Sequence, residues 1–237
     1  SQPGNVSVSL FFINLIFLFS FKSMKYKHII WDWNGTLLND TSLCTQILNA
    51  SLRKRDIPEI TVQQYKEKFL FPIKTFYESI GFDFDKEPFE NSNNEFNTGF
   101  VDQFKSLALQ PFAKDTIIKF SDKKITQTIL SASRDDRLKE QVNFFDITQY
   151  LQHVVGTNNL YAHGKEYEGE DLLLTLDIPA EETIIIGDTL LDSGVAKYLK
   201  IDCALVSNGH NDMKRLKETG AFTFSDIQEF YNWIITT

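Results

Sequence analysis

The hydrophobic period of this chain changes several times, and the changes mark out its elements. Lys27–Asp32 is a short apolar run that suits a buried strand, with the turn dipeptide Asn34-Gly35 directly behind it. From Thr41 to about Leu109 the spacing is helical: Thr41–Arg55, Thr61–Phe69, Ile73–Ile80 and Phe89–Leu109. Pro58, Pro72, Gly81 and Pro88 separate these pieces, and Asn91–Asn94 is a weak break inside the last. After Pro111 the pattern alternates. Ala113–Ser121, Asp135–Phe145, Glu168–Leu176 and Leu190–Leu199 read as helices. Ile125–Leu130, His153–Gly156, Thr183–Gly187 and Asp202–Ser207 read as strands. A last strand over Ala221–Phe224 leads into a helix over Ser225–Ile235, with Ser225 as its N-cap.

Strand–helix alternation predicts an α/β fold, a Rossmann-like three-layer parallel sheet covered on both faces. The helical stretch 41–110 then reads as an all-α insertion, a cap. The core is 24–40 together with 111–237. Residues 1–23 stand apart as an extension. Its run Leu10–Phe21 is apolar, but shorter than the ~20 residues of a membrane span, and it lacks a basic n-region and a cleavage site. Met24 opens a segment that reads as an ordinary start, so membrane association is not expected unless Leu10–Phe21 is a real anchor.

Composition narrows the classes. The 237 residues are 42% hydrophobic and 24% charged, with a net charge of −8. That is globular, and it carries no basic field for generic nucleic-acid binding. Cys44 and Cys203 are far apart and match no metal-ligand spacing, which reads as two reduced thiols in a cytoplasmic protein.

In open parallel sheets the ligand lies beyond the carboxyl ends of the strands, so the strand-end residues matter most. The first strand ends in Asp32 and the second before Ser131. The fourth runs into Gly187-Asp188, with Asp192 four residues on. Lys165 precedes the helix before the fourth strand. Three carboxylates without His or Cys suit a hard cation such as Mg²⁺. A strand-tip carboxylate can attack phosphorus, Ser131 and the N–H groups after it can bind phosphate oxygens, and Lys165 can hold both phosphate and nucleophile. Arg134 reads as a surface partner of Asp135 or Asp136, and His210 and His163 as structural or solvated. Phe69, Phe71, Phe76, Phe82 and Phe84 read as cap core, with one or two facing a cleft.

Taken in order, Asp32-Trp33-Asn34-Gly35-Thr36, Ser131, Lys165 and Gly187-Asp188-x-x-x-Asp192 resemble the haloacid dehalogenase superfamily. The likeness covers nearly all of 24–237 and looks closest to the phosphoglycolate phosphatase branch with its helical cap. It implies a phosphatase acting on a small phosphorylated metabolite through an aspartyl-phosphate. Asp32 would be the nucleophile, with Asn34, Ser131 and Lys165 beside it. Gly35, Thr36, Ser131, Ala132 and Lys165 would meet the phosphate. Mg²⁺ would be held by Asp32, the Asn34 carbonyl and Asp188, with Asp192 supporting that group or Lys165.

One position departs from the pattern. Asn34 stands where such phosphatases carry a second Asp that protonates the leaving oxygen, and an amide neither gives nor takes that proton. Losing a general acid costs about 10²–10⁴-fold. Three readings stay open: a leaving group that needs little help, a slow enzyme whose proton comes from substrate or water, or a phosphate-binding protein without turnover. C–halogen cleavage needs no metal and is disfavoured by the Gly187-Asp188 motif. C–P cleavage would need an imine-forming lysine in the cap, for which Lys54, Lys66, Lys68 and Lys74 carry no special signal.

Overall fold

The computed structural model describes residues 24–158 and 164–237; Leu10–Phe21 and His163 lie outside the described residues. Six parallel strands form one sheet: β1 (His28–Trp31), β2 (Thr126–Arg134), β3 (His153–Thr157), β4 (Thr183–Gly187), β5 (Asp202–Val206) and β6 (Phe222–Phe224), in the order β3-β2-β1-β4-β5-β6. The inner strands carry apolar residues on both sides because both faces are covered. Ile29, Trp31, Ile129, Ile184 and Ile186 pack with α5 (Ala113–Asp122), α6 (Asp135–Phe144) and α10 (Ile227–Ile234). Ile30, Leu130 and Ile185 pack on the other face with α7 (Glu166–Thr175) and α8 (Leu190–Leu199). This is the expected three-layer α/β arrangement.

The chain reverses its order at β1. It leaves β1 for β2 and β3 on one side, and returns to place β4 on the other. Such a switch point opens a crevice at the carboxyl ends of the two strands, where Asp32 follows β1 and Asp188 follows β4.

Between β1 and β2 run α1 (Thr41–Arg53), α2 (Val62–Lys68), α3 (Ile73–Ser79) and α4 (Phe89–Gln103). They bury a separate cluster dominated by aromatic rings, including Tyr65, Phe69, Phe76, Tyr77, Phe82 and Phe89. The expected break at Asn91–Asn94 does not occur, and α4 runs through it. Asn91 Nδ2 donates to Glu87, just before the helix, and Ser92 Oγ to the Phe89 carbonyl, so polar side chains that would favour a turn are satisfied locally.

Two further expectations are corrected, and one short element had no sequence reading. β2 does not stop at Leu130. A register shift lets it rejoin β3 with Arg134 opposite Thr157, so Ser131 and Ser133 lie within the strand. The last helix is capped by Asp226, whose carboxylate accepts from the Glu229 N–H at 2.8 Å, while Ser225 only donates its N–H to the Glu229 carboxylate. A five-residue helix, α9 (Met213–Lys217), follows the Asp212 cap and is too short to announce itself by periodicity.

Candidate active site

The reversal at β1 gathers the strand-end residues as expected. Asp32 is 8% exposed, and its N–H continues the sheet by donating to the Ile186 carbonyl. Lys165 is 1% exposed, and its ammonium is fixed by three acceptors: Asp32 Oδ1 at 2.5 Å, Asp192 Oδ1 at 2.8 Å and the Leu130 carbonyl at 2.9 Å. Lys165 thus ties β1, β2 and α8 together. The other oxygen of Asp32 has no hydrogen-bond partner among the described residues, and Asp32 lines a cavity of about 460 Å³ together with Asn34, Ser131, Ala132, Ser133 and Asp192.

Asp188 is held from behind. Thr36 Oγ1 donates to its Oδ1 at 2.7 Å and the His210 N–H to its Oδ2 at 2.5 Å. Gly35 sits at φ 77°, and a Cβ there would lie 2.2 Å from Asp188 Oδ2, so the close approach of the two loops requires glycine. The Gly35 N–H donates to Asp40 Oδ1 at 2.8 Å. Gly35 and Thr36, expected against phosphate, are therefore engaged in holding Asp40 and Asp188. Asp192 forms a capping box with Thr189: its Oδ2 accepts from the Thr189 hydroxyl at 2.7 Å and from the Asp188 and Thr189 N–H groups. With its other oxygen on Lys165, Asp192 orients the loop that carries Asp188.

The charges favour a cation. Carboxylate oxygens of Asp32, Asp188 and Asp192 lie within 4.8 Å of one another. Lys165 balances one of the three. Burial, followed by Asp192 and Asp188, pushes the Asp32 carboxyl well above the ordinary range despite Lys165. Burial likewise pushes Asp188 up to about 6, against the pull of His210. Burial also works against the Lys165 charge, but Asp192 and Asp32 outweigh it and hold the ammonium protonated. An all-oxygen donor set with excess negative charge in a buried pocket fits a hard divalent ion.

Asn34 is locked at both ends. Its Oδ1 accepts from Ser133 Oγ and its Nδ2 donates to Asp40 Oδ2, each at 2.7 Å. Ser131 Oγ lines the same cavity and accepts from the Ser133 N–H at 3.1 Å. Arg134 pairs with Asp136, one of its two expected surface partners.

Two residues escaped the sequence reading. Asp40 is fully buried and takes hydrogen bonds from Asn34, Gly35 and the His210 ring, the last at 3.2 Å. His210, read as structural or solvated, is 4% exposed. Burial disfavours its charge, but Asp40 outweighs that and raises it to about 9. Its Nδ1 lies 3.0 Å from the Tyr65 hydroxyl, and its ring packs on Phe69 at 5.0 Å. Lys66 Nζ also donates to the Ser207 carbonyl, and Arg215 and Asn211 donate to the Phe69 carbonyl. The segment after β5 is thus where the helical insertion docks. The signal that points to Asp192 is the Thr189-x-x-Asp192 capping box; nothing local marks His210.

Residues 29–206 match the haloacid dehalogenase-like hydrolase family. No curated protein sequence matches the chain. Among solved structures it is similar to a predicted phosphatase from Clostridium acetobutylicum, at 20% identity and TM-score 0.75, over 90% of this chain and 99% of that one. It is similar to a predicted phosphoglycolate phosphatase from Haemophilus somnus at 14% identity and TM-score 0.69, over 91% and 100%. It is also similar to protein tyrosine kinase A of Mycobacterium tuberculosis at 14% identity and TM-score 0.74, over 89% and 98%. At these identities the likeness is one of fold.

Proposed function

The chain belongs to the haloacid dehalogenase-like hydrolase family, and on that premise we propose that it is a Mg²⁺-dependent phosphatase of small phosphomonoesters, with Asp32 as nucleophile. The observation that carries this reading is the asymmetry of Asp32. One oxygen is anchored by Lys165 and the other has no partner among the described residues, on a residue that lines the cavity. An anchored carboxylate loses little freedom on attack, and its open oxygen is the one that meets phosphorus.

In the proposed reaction that oxygen bonds to phosphorus as the P–O bond to the alcohol breaks. Water then attacks the aspartyl-phosphate and frees inorganic phosphate and the Asp32 carboxylate. Asp32, Asp188 and the Asn34 carbonyl would hold Mg²⁺, which when bound offsets the negative charge of carboxylates and phosphate. Asp192 positions Lys165 and the Asp188 loop. Ser131 and the Ala132 N–H meet phosphate oxygens. Because Asn34 has both ends occupied and no titratable proton, the leaving oxygen takes its proton from water or from substrate. The insertion 41–110 acts as a cap that shields the cavity from bulk water. Two unpaired thiols, Cys44 and Cys203, suit a cytoplasmic setting.

Single-turnover phosphate release over a panel of phosphomonoesters and acyl phosphates, with and without Mg²⁺, tests the reading. Release that needs both Mg²⁺ and Asp32 supports it. No release from any substrate overturns it in favour of a phosphate-binding module, the reading that Asn34 otherwise suggests.

A further inference from the structure

The cavity beyond Asp32 has two unlike walls. The core wall carries Asp32, Asn34, Ser131 and the cations Arg134, Arg137 and His210. Arg134 is taken by Asp136 and His210 by Asp40. Arg137, on α6, lines the same cavity. The wall contributed by 41–110 is different: among the described residues, none of its lining side chains carries a charge. It is built mainly from rings and amides, with a few aliphatic side chains such as Leu48 and Val101.

The amides and rings alternate on one helix. Asn93, Phe96, Asn97 and Phe100 recur at three- and four-residue steps along α4, which places them on one face, and all four line the cavity. The Phe96 and Phe100 rings are near-parallel, 22° apart in plane with centroids at 6.2 Å. Asn97 Nδ2 is spent on the Asn93 backbone carbonyl at 2.8 Å. That leaves Asn97 Oδ1 and the whole Asn93 amide without partners among the described residues. Phe71 and Ile73 also line the cavity.

A two-carbon acid on phosphate suits this wall poorly. Its carboxylate would meet rings and neutral amides, and a cavity of about 460 Å³ lies in the range that holds ligands well beyond that size. An unpaired carboxylate removed from water is costly. A neutral ring with polar edges suits the wall in both respects: its faces lie on Phe96 and Phe100, and its edge bonds to Asn93 and Asn97.

We propose that the substrate is the phosphomonoester of an uncharged, ring-bearing alcohol with hydrogen-bonding edges, bound through the α4 face. A nucleoside and a hexose both present this chemistry. The proposal rests on the phosphatase reading above and names the substrate class of that same site.

The full chain with Mg²⁺ is assayed for phosphate release from nucleoside 5′-monophosphates, hexose 6-phosphates, 2-phosphoglycolate and acetyl phosphate. The expected result is a kcat/KM at least about tenfold higher for one of the two ring classes than for 2-phosphoglycolate, with the two arms telling nucleoside from hexose. Asn97→Leu is expected to narrow that ratio by about tenfold, mainly through KM; Asn93→Leu serves as the second variant should the first not fold. A preference for 2-phosphoglycolate, or a ratio unchanged in both variants, overturns the proposal. Acetyl phosphate separates the two levels. If it is hydrolysed in an Asp32-dependent way while ring substrates show no preference, this inference alone fails. If no substrate releases phosphate, the phosphatase reading fails and this inference with it.

Discussion

The sheet edge and the helical insertion face each other across one cavity and are built from opposite materials. The edge is largely apolar up to its last residues and then gives Asp32 and Asp188, with Lys165 at the start of one flanking helix and Asp192 on another. The insertion buries stacked and edge-on rings, such as Tyr77 on Phe82 at 4.8 Å and Phe69 on Phe76 at 5.2 Å, and turns only neutral groups to the cavity. On the proposed function the difference separates two tasks. Phosphoryl chemistry needs charge held still, which a hydrogen-bonded parallel sheet supplies. Recognition of a leaving group needs shape and surface, which packed helices can change without disturbing the strand ends.

The largest expected effect breaks the charged side alone. Asp32→Asn keeps shape and burial but removes the nucleophile, so phosphate release should fall by at least about 10³-fold, with the near-UV circular dichroism unchanged. Residual turnover within about tenfold of the parent would mean that another group attacks phosphorus.

A matched pair of stability variants sharpens the contrast. Lys165→Met strands Asp32 and Asp192 in a buried setting without their cation, which should cost about 3–5 kcal/mol. Phe76→Ala empties a ring position in the insertion, at a similar cost of about 3–5 kcal/mol. Urea unfolding with and without Mg²⁺ distinguishes the two. Mg²⁺ should recover part of the first loss, because it offsets the same carboxylates, and none of the second. Equal recovery in both would show that the two regions are not separable in this way.

The charged side was the legible one. Asp32 follows from a strand end, Lys165 from its place before a helix and Asp188 from a short local motif, because a parallel sheet sends its strand termini to one place; Ser131 was read as a strand end but lies within β2. Asp40 and His210 could not be read in the same way. Asp40 looks like the residue before a helix, and its ring partner lies 170 positions away, so only the docking of the insertion on the segment after β5 joins them. The helices of the insertion could be read from their spacing, but not which of their rings line the cavity, since Phe82 and Phe69 are alike in pattern and only Phe69 does so.

Away from the site edge the sheet carries a polar group of another kind. His28, at the far end of β1, is fully buried, with Nδ1 2.8 Å from Thr126 Oγ1 and Nε2 unpartnered. Burial, and then the nearby His153, lowers it to about 4 from an ordinary 6.5. The unfolded chain therefore takes up a proton between about pH 6.5 and 4 that the folded chain refuses. Stability present above pH 6.5 is lost as the pH falls through that window, by up to about 3 kcal/mol from this group. His28→Gln should flatten that part of the stability profile relative to the parent. An unchanged slope would assign the acid sensitivity to the carboxylates instead.

The smallest expected effect lies where the two sides meet. Asn34→Asp places a carboxyl where the amide now donates to Asp40 Oδ2 at 2.7 Å. Two carboxylates at that distance cannot both ionise, so the introduced group should keep its proton well above the ordinary carboxylate range. It is then a neutral acid beside the leaving oxygen. Release from alkyl phosphates, whose alkoxide needs a proton, should rise by about tenfold, short of the 10²–10⁴ that a fully positioned general acid supplies. Acetyl phosphate, whose leaving carboxylate needs none, should change little. Adding Asp40→Asn removes the neighbouring charge that holds the proton, so it should cancel the gain. A rise that is equal for both kinds of substrate would assign the effect of Asn34 to phosphate binding, and no rise for either would show that proton transfer to the leaving group does not limit this site.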